Sequence, residues 1–147
     1  MPSKKLATEK VLAVLDDILA HELAGVIRYT HYAFVTFGFT RIPIAAWADA
    51  NAAESLAHAR LAGEQIVNLG GHPGTLPGKW KDSGQHDVET MLHEAHAHEA
   101  AAIEAYKKLL ALVEGRDIAL EEYARGQVAA ETGDLREIER MLRKPGR

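Results

Sequence analysis

Apolar residues recur every three to four positions along four separate stretches of the chain, the spacing of one face of an α-helix. The first stretch begins at Ser3 or Lys5 and continues to Phe37, where a glycine follows. The second covers Ile44 to Leu69 and ends at a pair of glycines. Glycine readily adopts the backbone conformation that closes helices, so we predict a long helix over each stretch.

A segment rich in glycine and proline, GGHPGTLPGKWKDSG, follows the second helix over residues 70–84. Its composition predicts a loop. About 17 residues up to the next helix can extend over about 50 Å, whereas a helix of about 26 residues is about 39 Å long. The loop can therefore cross the full length of a bundle, so that the third helix starts at the end opposite to where the second one stopped.

Two further helices are predicted after this loop. Asp87 can cap the third helix, which Gly115 closes, and the fourth helix runs from Asp117 to Leu142. The residues after Leu142, RKPGR, are too few for another helix that packs stably. The pattern predicts an all-α fold with one domain over residues 1–147. This domain is a four-helix bundle with a long crossover between helices two and three and no fifth helix.

Composition and charge narrow the function classes. A net charge of −4 without a basic block disfavours nucleic acid as a partner. The absence of cysteine excludes disulfides and thiolate metal ligands. No apolar run is long enough for a signal peptide or a membrane span, so we expect a cytoplasmic protein without a membrane partner.

Each predicted helix carries an acidic residue near the middle of its apolar face. These residues are Glu22, Glu54, Glu99 and Glu131. His58 follows Glu54, and Asp134 follows Glu131, about one helical turn later on the same face. Several negative charges in a dry core repel one another strongly unless protons or cations neutralise them. Oxygen and imidazole ligands suit iron, manganese or zinc, so the pattern favours a metal site inside the bundle.

Two features of this pattern remain open to other interpretations. Acid–histidine pairs four residues apart also occur on solvated helix surfaces, so a bundle with exposed acids and no metal is the alternative. His96 faces inward on the third helix and can supply a further ligand, or it can be a core histidine hydrogen-bonded to Tyr29 or Gln127. His93 and His98 fall to the sides of that helix and are predicted to be solvated.

Four segments of the chain resemble the ferritin-like superfamily, and most closely its bacterioferritin branch. They are LAHELAGVIRYTHYA, HARLAGEQIVNLGGHP, HEAAAIEAYKKLL and AAETGDLREIERML. The resemblance implies that Glu22 and Glu99 are the terminal carboxylates of two irons and that His58 ligates the first iron. It also implies that Glu131 bridges both irons and that Asp134 occupies the position of the family's second histidine.

The chain departs from the family pattern at several positions. Ser55 stands where the family has a bridging glutamate, three residues before His58, and Glu54 is one residue early. Asp134 stands where histidine is expected. The position of the family's haem-ligand methionine falls on Leu56 or Ser55, so haem is not expected. A π-bulge between Glu54 and His58 can restore the bridge, or an inward-facing histidine on the third helix can replace a missing ligand.

The leading functional hypothesis is a site for two irons per chain that oxidises Fe(II) with dioxygen or peroxide, a ferroxidase-type oxidoreductase if the site is intact. Tyr29, close to this site, can hydrogen-bond a ligand or donate an electron. The alternatives are a bundle that binds or stores zinc, manganese or copper without turnover, and a structural bundle without metal.

An exposed aromatic cluster indicates an oligomer. Phe34, Phe37, Phe39 and Trp47 lie near the junction of the first two helices. Exposed aromatic surface marks interfaces, and two-fold self-pairing is the commonest contact in homo-oligomers. We therefore expect a homo-oligomer with a dimer as its smallest stable unit rather than a hollow cage of 24 subunits.

Overall fold

Four long α-helices make up the computed structural model, which describes residues 5–146. They are α1 (Thr8–Val35), α2 (Arg41–Asn68), α3 (Val88–Val113) and α4 (Ile118–Leu142). Within these described residues there is no β-strand, and none of the four helices is long and apolar enough to cross a membrane. The prediction of an all-α four-helix bundle is confirmed.

The junction between α1 and α2 is tighter than the sequence predicted. α1 ends at Val35 rather than Phe37, and α2 begins at Arg41, before the predicted start at Ile44. The Arg41 guanidinium donates hydrogen bonds to the carbonyl oxygens of Ala33 and Thr36, at 2.9 and 2.8 Å. These bonds satisfy carbonyls that a helix end leaves without partners, so the side chain that opens α2 also closes α1.

The first helix also begins later than predicted. Ser3, one of its two predicted starts, lies outside the described residues, and residues 5–7 are not helical. The third and fourth helices begin where their caps were expected. The Asp87 carboxylate accepts a hydrogen bond from the backbone N–H of Thr90, and Asp117 accepts one from the N–H of Leu120.

The loop between α2 and α3 follows the length of α1. The N–H of Gly74 donates to Asp16 Oδ1 at 2.8 Å, and the N–H of Gly78 donates to the Ala20 carbonyl at 2.7 Å. A Cβ atom at Gly78 would lie only 3.2 Å from that carbonyl, so glycine allows the close approach. The loop then passes His31, near the end of α1, before α3 begins. The predicted long crossover is confirmed.

The core consists of two apolar clusters, one toward each end of the bundle. One includes Val11, Leu15, Ile18, Ile66, Leu109 and Val113. The other includes Tyr29, Tyr32, Ala48, Met91, Leu92 and Ile138. On each helix, one acidic residue falls between the residues of these two clusters, and the four helices therefore bring these acids to the same depth. The acids are Glu22, Glu54, Glu99 and Glu131.

Candidate metal centre

Four ionisable side chains, one from each helix, are buried at the middle of the bundle. Glu22 is 3 % exposed, His58 7 %, Glu99 4 % and Glu131 2 %. Their helices place them there because each occupies an apolar stripe that faces the core. Buried charges of this kind are costly unless they are paired, protonated or bound to a metal.

The first group of candidate ligands consists of Glu22, His58 and Glu131. The Nδ1 atom of His58 lies 2.8 Å from Glu131 Oε1 and 3.8 Å from Glu22 Oε2. One ligand atom from each of these residues lies within 4.8 Å of the others. The group therefore offers one imidazole nitrogen and two carboxylates to a single point.

The second group consists of Glu99, Glu131 and Asp134, again with ligand atoms within 4.8 Å of one another. All of its ligands are carboxylates. Glu131 belongs to both groups, so its carboxylate lies between two adjacent sets of oxygen and nitrogen ligands. This is the arrangement that two neighbouring metal ions with one shared carboxylate require.

The second helix supplies one buried ligand, His58, to this centre, whereas a π-bulge would add Glu54. α2 is α-helical throughout from Arg41 to Asn68, so the proposed π-bulge is wrong. Ser55 is buried, whereas Glu54 is half-buried at the edge of the site, with Oε1 3.6 Å from His58 Nε2. Glu54 thus lies beside His58, is hydrogen-bonded to Asp134 and belongs to neither ligand group.

Protons neutralise the centre where cations are not bound. Burial and the neighbouring Glu131 carboxylate raise the pKa of Glu99 to about 9. Burial also raises the pKa of Glu131. Burial alone would lower the pKa of His58, but its hydrogen bonds to Glu131 and Glu22 outweigh burial and raise that pKa to about 10. At neutral pH the metal-free centre therefore contains a protonated carboxyl and an imidazolium.

The edge of the site holds a second acidic pair. Burial and the charge of Asp134 raise the pKa of Glu54 to about 7. Burial also raises the pKa of Asp134 to about 6, although its hydrogen bond with Glu54 opposes that rise. The two carboxyl groups therefore share a proton near neutral pH, and that proton is available for exchange with a cation.

Two buried tyrosines orient the carboxylates. The Tyr29 hydroxyl donates to Glu99 Oε1 at 2.5 Å, and the Tyr106 hydroxyl donates to Glu22 Oε1 at 3.1 Å. Burial and Glu99 raise the pKa of Tyr29 well above its ordinary value, so it remains a neutral phenol. The sequence indicated that Tyr29 lies near the site but did not single out Tyr106. Its position seven residues after Glu99, two turns along the same face, was the available signal.

His96 does not join the centre, so the prediction that it faces inward is wrong. Its side chain is half exposed, and Nε2 lies 3.4 Å from the surface carboxylate of Glu139. The ring lies on the side of α3 that faces solvent at the end of α4. His93 is exposed, as predicted, and lies 4.0 Å from Glu89.

His98 is buried, contrary to its predicted solvation. Its ring stacks on that of His21 with centroids 4.0 Å apart, and burial lowers the pKa of His98 to about 3. A Cβ atom at Gly25 would lie 2.8 Å from His98 Nε2 and 2.9 Å from Ser55 Oγ. The missing side chain on α1 therefore makes the space that this imidazole occupies.

The chemistry of the donor set fits divalent cations. Carboxylate oxygens dominate both groups, and His58 is the one basic side chain in either of them. Hard, anionic oxygen ligands with a single imidazole suit iron, manganese or zinc. The arrangement defines a class of protein: a four-helix bundle with a long crossover and a carboxylate-rich centre for paired metals.

The chain belongs to the ferritin family: the model of the ferritin-like domain matches residues 12–147. A ferritin-like diiron-carboxylate protein from Bacillus anthracis is 27 % identical over 92 % of this chain and 97 % of that one, with a TM-score of 0.88. The Desulfovibrio desulfuricans bacterioferritin, whose structure contains a diiron site, is 26 % identical over 92 % and 79 %, with a TM-score of 0.84.

A dodecameric thioferritin, the bacterioferritin-related protein of Bacteroides fragilis, shares the fold with a TM-score of 0.88. It is 23 % identical over 94 % of this chain and 87 % of that one. No significant match was found among the curated proteins. The predicted resemblance to the ferritin-like superfamily and its bacterioferritin branch is confirmed.

Proposed function

We propose that the chain binds two iron ions in the two adjacent ligand groups and oxidises Fe(II) with dioxygen or peroxide. The observation that carries this proposal is the position of Glu131, whose buried carboxylate belongs to both groups. Similarity to a diiron-carboxylate protein of Bacillus anthracis and to a bacterioferritin with a diiron site supports iron as the metal.

Each residue has a proposed role. Glu22 and His58 would hold the first iron, and Glu99 and Asp134 the second, with Glu131 between them. Carboxylates are hard anionic ligands that favour Fe(III) over Fe(II), so they lower the barrier to electron loss. Dioxygen would take one electron from each of two Fe(II) ions and two protons to become hydrogen peroxide. Peroxide in place of dioxygen would take the two electrons and two protons and become water.

The protein's own groups would manage protons and orientation. Binding of two cations displaces the protons held by Glu99 and His58, because metal ligands must be deprotonated. Tyr29 holds the Glu99 carboxylate through its short hydrogen bond, which fixes the direction of that ligand. The half-buried pair of Glu54 and Asp134 is the route by which a cation can reach the centre, because these are its partly exposed carboxylates.

Oxygen consumption tests the proposal. After anaerobic loading with Fe(II), the native chain should consume dioxygen, and Glu131→Ala should reduce the initial rate at least about 100-fold because both metal groups lose a ligand. His93→Ala, which removes an exposed histidine remote from the centre, is the matched control and should keep the native rate. Equal rates in all three proteins would exclude this site as the place of oxidation.

A second candidate function follows from one observation, the serine at position 55. With Ser55 in place of a bridging glutamate and Asp134 in place of a histidine, the centre has one bridge and one imidazole. Such a site can bind zinc or manganese, or iron, without turnover. Metal bound at two ions per chain with no dioxygen or peroxide consumption would favour this non-catalytic function over the first.

We also propose a homo-oligomer with a dimer as its smallest unit. The supporting observation is an apolar surface at the α1–α2 junction, where Phe34, Phe37, Phe39 and Ile42 are 70 %, 77 %, 110 % and 84 % exposed. Trp47, grouped with them in the sequence, is half-buried against Tyr29 with ring centroids 5.6 Å apart. It therefore belongs to the core rather than to this surface.

A further inference from the structure

A second group of ligand-type side chains lies outside the bundle core, where the crossover loop passes the end of α1. His31 belongs to α1, and Asp82 and His86 belong to the loop. One ligand atom from each lies within 4.8 Å of the others. None of these residues contributes to the carboxylate centre.

The distances in this group are slightly shorter than those between the ligand atoms of a small metal site. Asp82 Oδ2 lies 3.2 Å from His31 Nε2 and 3.0 Å from His86 Nε2. In a tetrahedral zinc site with bonds of about 2.0–2.2 Å, neighbouring ligand atoms are about 3.3–3.6 Å apart. An ion can therefore enter between the three side chains with only a small outward movement of Asp82.

The His31 nitrogen is available for such an ion. Its Nε2 atom is buried and makes no hydrogen bond with any described residue, although Asp82 Oδ2 lies 3.2 Å away. A buried polar atom without a hydrogen bond destabilises the folded state. A metal ion would use its lone pair and remove that cost.

The surroundings hold the ligands in place. The Trp80 ring packs against His31 with centroids 5.3 Å apart, and the N–H of Gly84 donates to Asp82 Oδ1 at 3.1 Å. Outer contacts of this kind orient metal ligands.

We propose that His31, Asp82 and His86 form a mononuclear zinc site that fastens the crossover loop to α1. Two imidazoles and one carboxylate are a ligand set that zinc uses with a water in the fourth position. All three side chains are partly exposed, which leaves room for that water. Without a metal, Asp82 and His86 form a hydrogen-bonded pair on the surface, and zinc titration distinguishes this pair from a metal site.

Zinc stoichiometry is the first test. Equilibrium titration of the full chain with ZnCl₂ should show one more zinc equivalent in the native protein than in His86→Ala or His31→Ala. Losing one of three ligands should weaken this site about 100-fold or more, since even outer-shell changes cost about 10–100-fold. Asp82→Asn, which keeps the side-chain shape, should weaken it as well.

Two controls define the outcome. His93→Ala removes an exposed histidine that belongs to neither ligand group and should bind zinc as the native chain does. Glu131→Ala removes the carboxylate that both groups of the central site share, and it should keep the zinc equivalent bound by His31, Asp82 and His86. This test therefore remains valid even if the proposed iron centre is wrong. Unchanged zinc stoichiometry and affinity in His31→Ala and His86→Ala would overturn the proposal.

Trypsin provides an independent readout, because the exposed Lys79 and Lys81 flank Trp80 in the same loop. ZnCl₂ should slow cleavage after these lysines at least about 10-fold in the native chain, since a fastened loop opens less often. The same addition should have no effect in His86→Ala. Equal cleavage rates with and without zinc in the native chain would also contradict the site.

Discussion

At the scale of single residues, the proposed metal centre is a set of buried acids from which bound cations would displace protons. In the metal-free protein, the Glu99 carboxyl group and the His58 imidazolium keep their protons up to a higher pH than the same groups do in the unfolded chain. The folded state therefore binds more protons than the unfolded state. Stability and metal binding should consequently depend on pH in opposite directions.

The metal-free protein should lose stability as pH rises. The pKa of Glu99 rises from 4.5 to about 9 on folding, and that of His58 from 6.5 to about 10. Their stabilising contributions are complete below the unfolded values and disappear as pH rises through the folded values. Urea unfolding of chelated protein should show a fall of up to about 1.4 kcal/mol per pH unit for each group between about pH 6.5 and pH 9.

Glu99→Gln is the matched variant for this pH series. It keeps the shape of the side chain and removes the titration, so the slope should become shallower. Saturating metal should remove or reverse the slope, since metal binding releases the protons. Stability of the chelated native chain that increases over this pH range would contradict the proposed protonation of the centre.

Tyr29→Phe tests the orientation of Glu99. The variant removes one hydroxyl and its hydrogen bond to a ligand of the second group, so affinity for the second metal should fall about 10–100-fold. Tyr32→Phe is the control, because the Tyr32 hydroxyl accepts from Arg28 and does not contact the centre. Anaerobic titration with Co(II) measures both affinities, and equal values for the two variants would show that Tyr29 does not position the ligand.

At the scale of secondary-structure elements, close packing of α1 against α2 and α3 depends on one glycine. A Cβ atom at Gly25 would lie within 3.0 Å of both His98 and Ser55 side-chain atoms. Gly25→Ala should therefore destabilise the protein by about 1–3 kcal/mol, as overpacked cores do. Denaturant unfolding measures this change.

Gly63→Ala is the control in the neighbouring helix. Nothing lies within 4 Å of a Cβ atom at that position, so the substitution should stabilise the chain by about 0.5–1 kcal/mol through helix propensity. A Gly25→Ala protein as stable as Gly63→Ala would mean that His98 can move aside at no cost.

The burial of the α3 histidines could not be predicted from the sequence of that helix alone. With about 100° per residue, His96 lies about 60° from Glu99 around the helix and His98 about 100° away. The periodicity therefore favoured His96 as the inward residue. The structure buries His98 instead, because α1 offers a space at Gly25 and a stacking partner in His21. The apolar periodicity of a helix predicts its core-facing side to within about one residue. Whether a residue at the edge of that side is buried depends on the helix that packs against it.

At the scale of the whole molecule, the apolar pattern and the loop length were sufficient to predict the bundle and its crossover. They also predicted the shared depth of Glu22, Glu99 and Glu131, because each interrupts an apolar stripe midway along its helix. Two adjacent ligand groups that share Glu131 were implied by the resemblance to the ferritin-like superfamily, not by the spacing of residues along the helices. The loop site could not be predicted, because His31 and Asp82 meet only when the crossover lies along α1.

The apolar surface at the α1–α2 junction predicts how whole chains assemble. Light scattering of the native chain at micromolar concentration should give a mass near two chains, and Phe37→Glu should give one chain by placing a charge in the apolar surface. Ile118→Glu is the control, since Ile118 is 80 % exposed at the start of α4. A mass near 24 chains, or a Phe37→Glu protein that assembles as the native chain does, would contradict this interface.

Iron anomalous scattering from a crystal loaded with Fe(II) without oxygen tests most directly whether two metals bind on either side of Glu131. Two peaks should lie about 3.5–4 Å apart, the usual separation in two-metal sites. One should lie beside Glu22 and His58, the other beside Glu99 and Asp134, with the Glu131 carboxylate in contact with both. A single peak, or iron bound only at the surface, would contradict a centre for two metals that share Glu131.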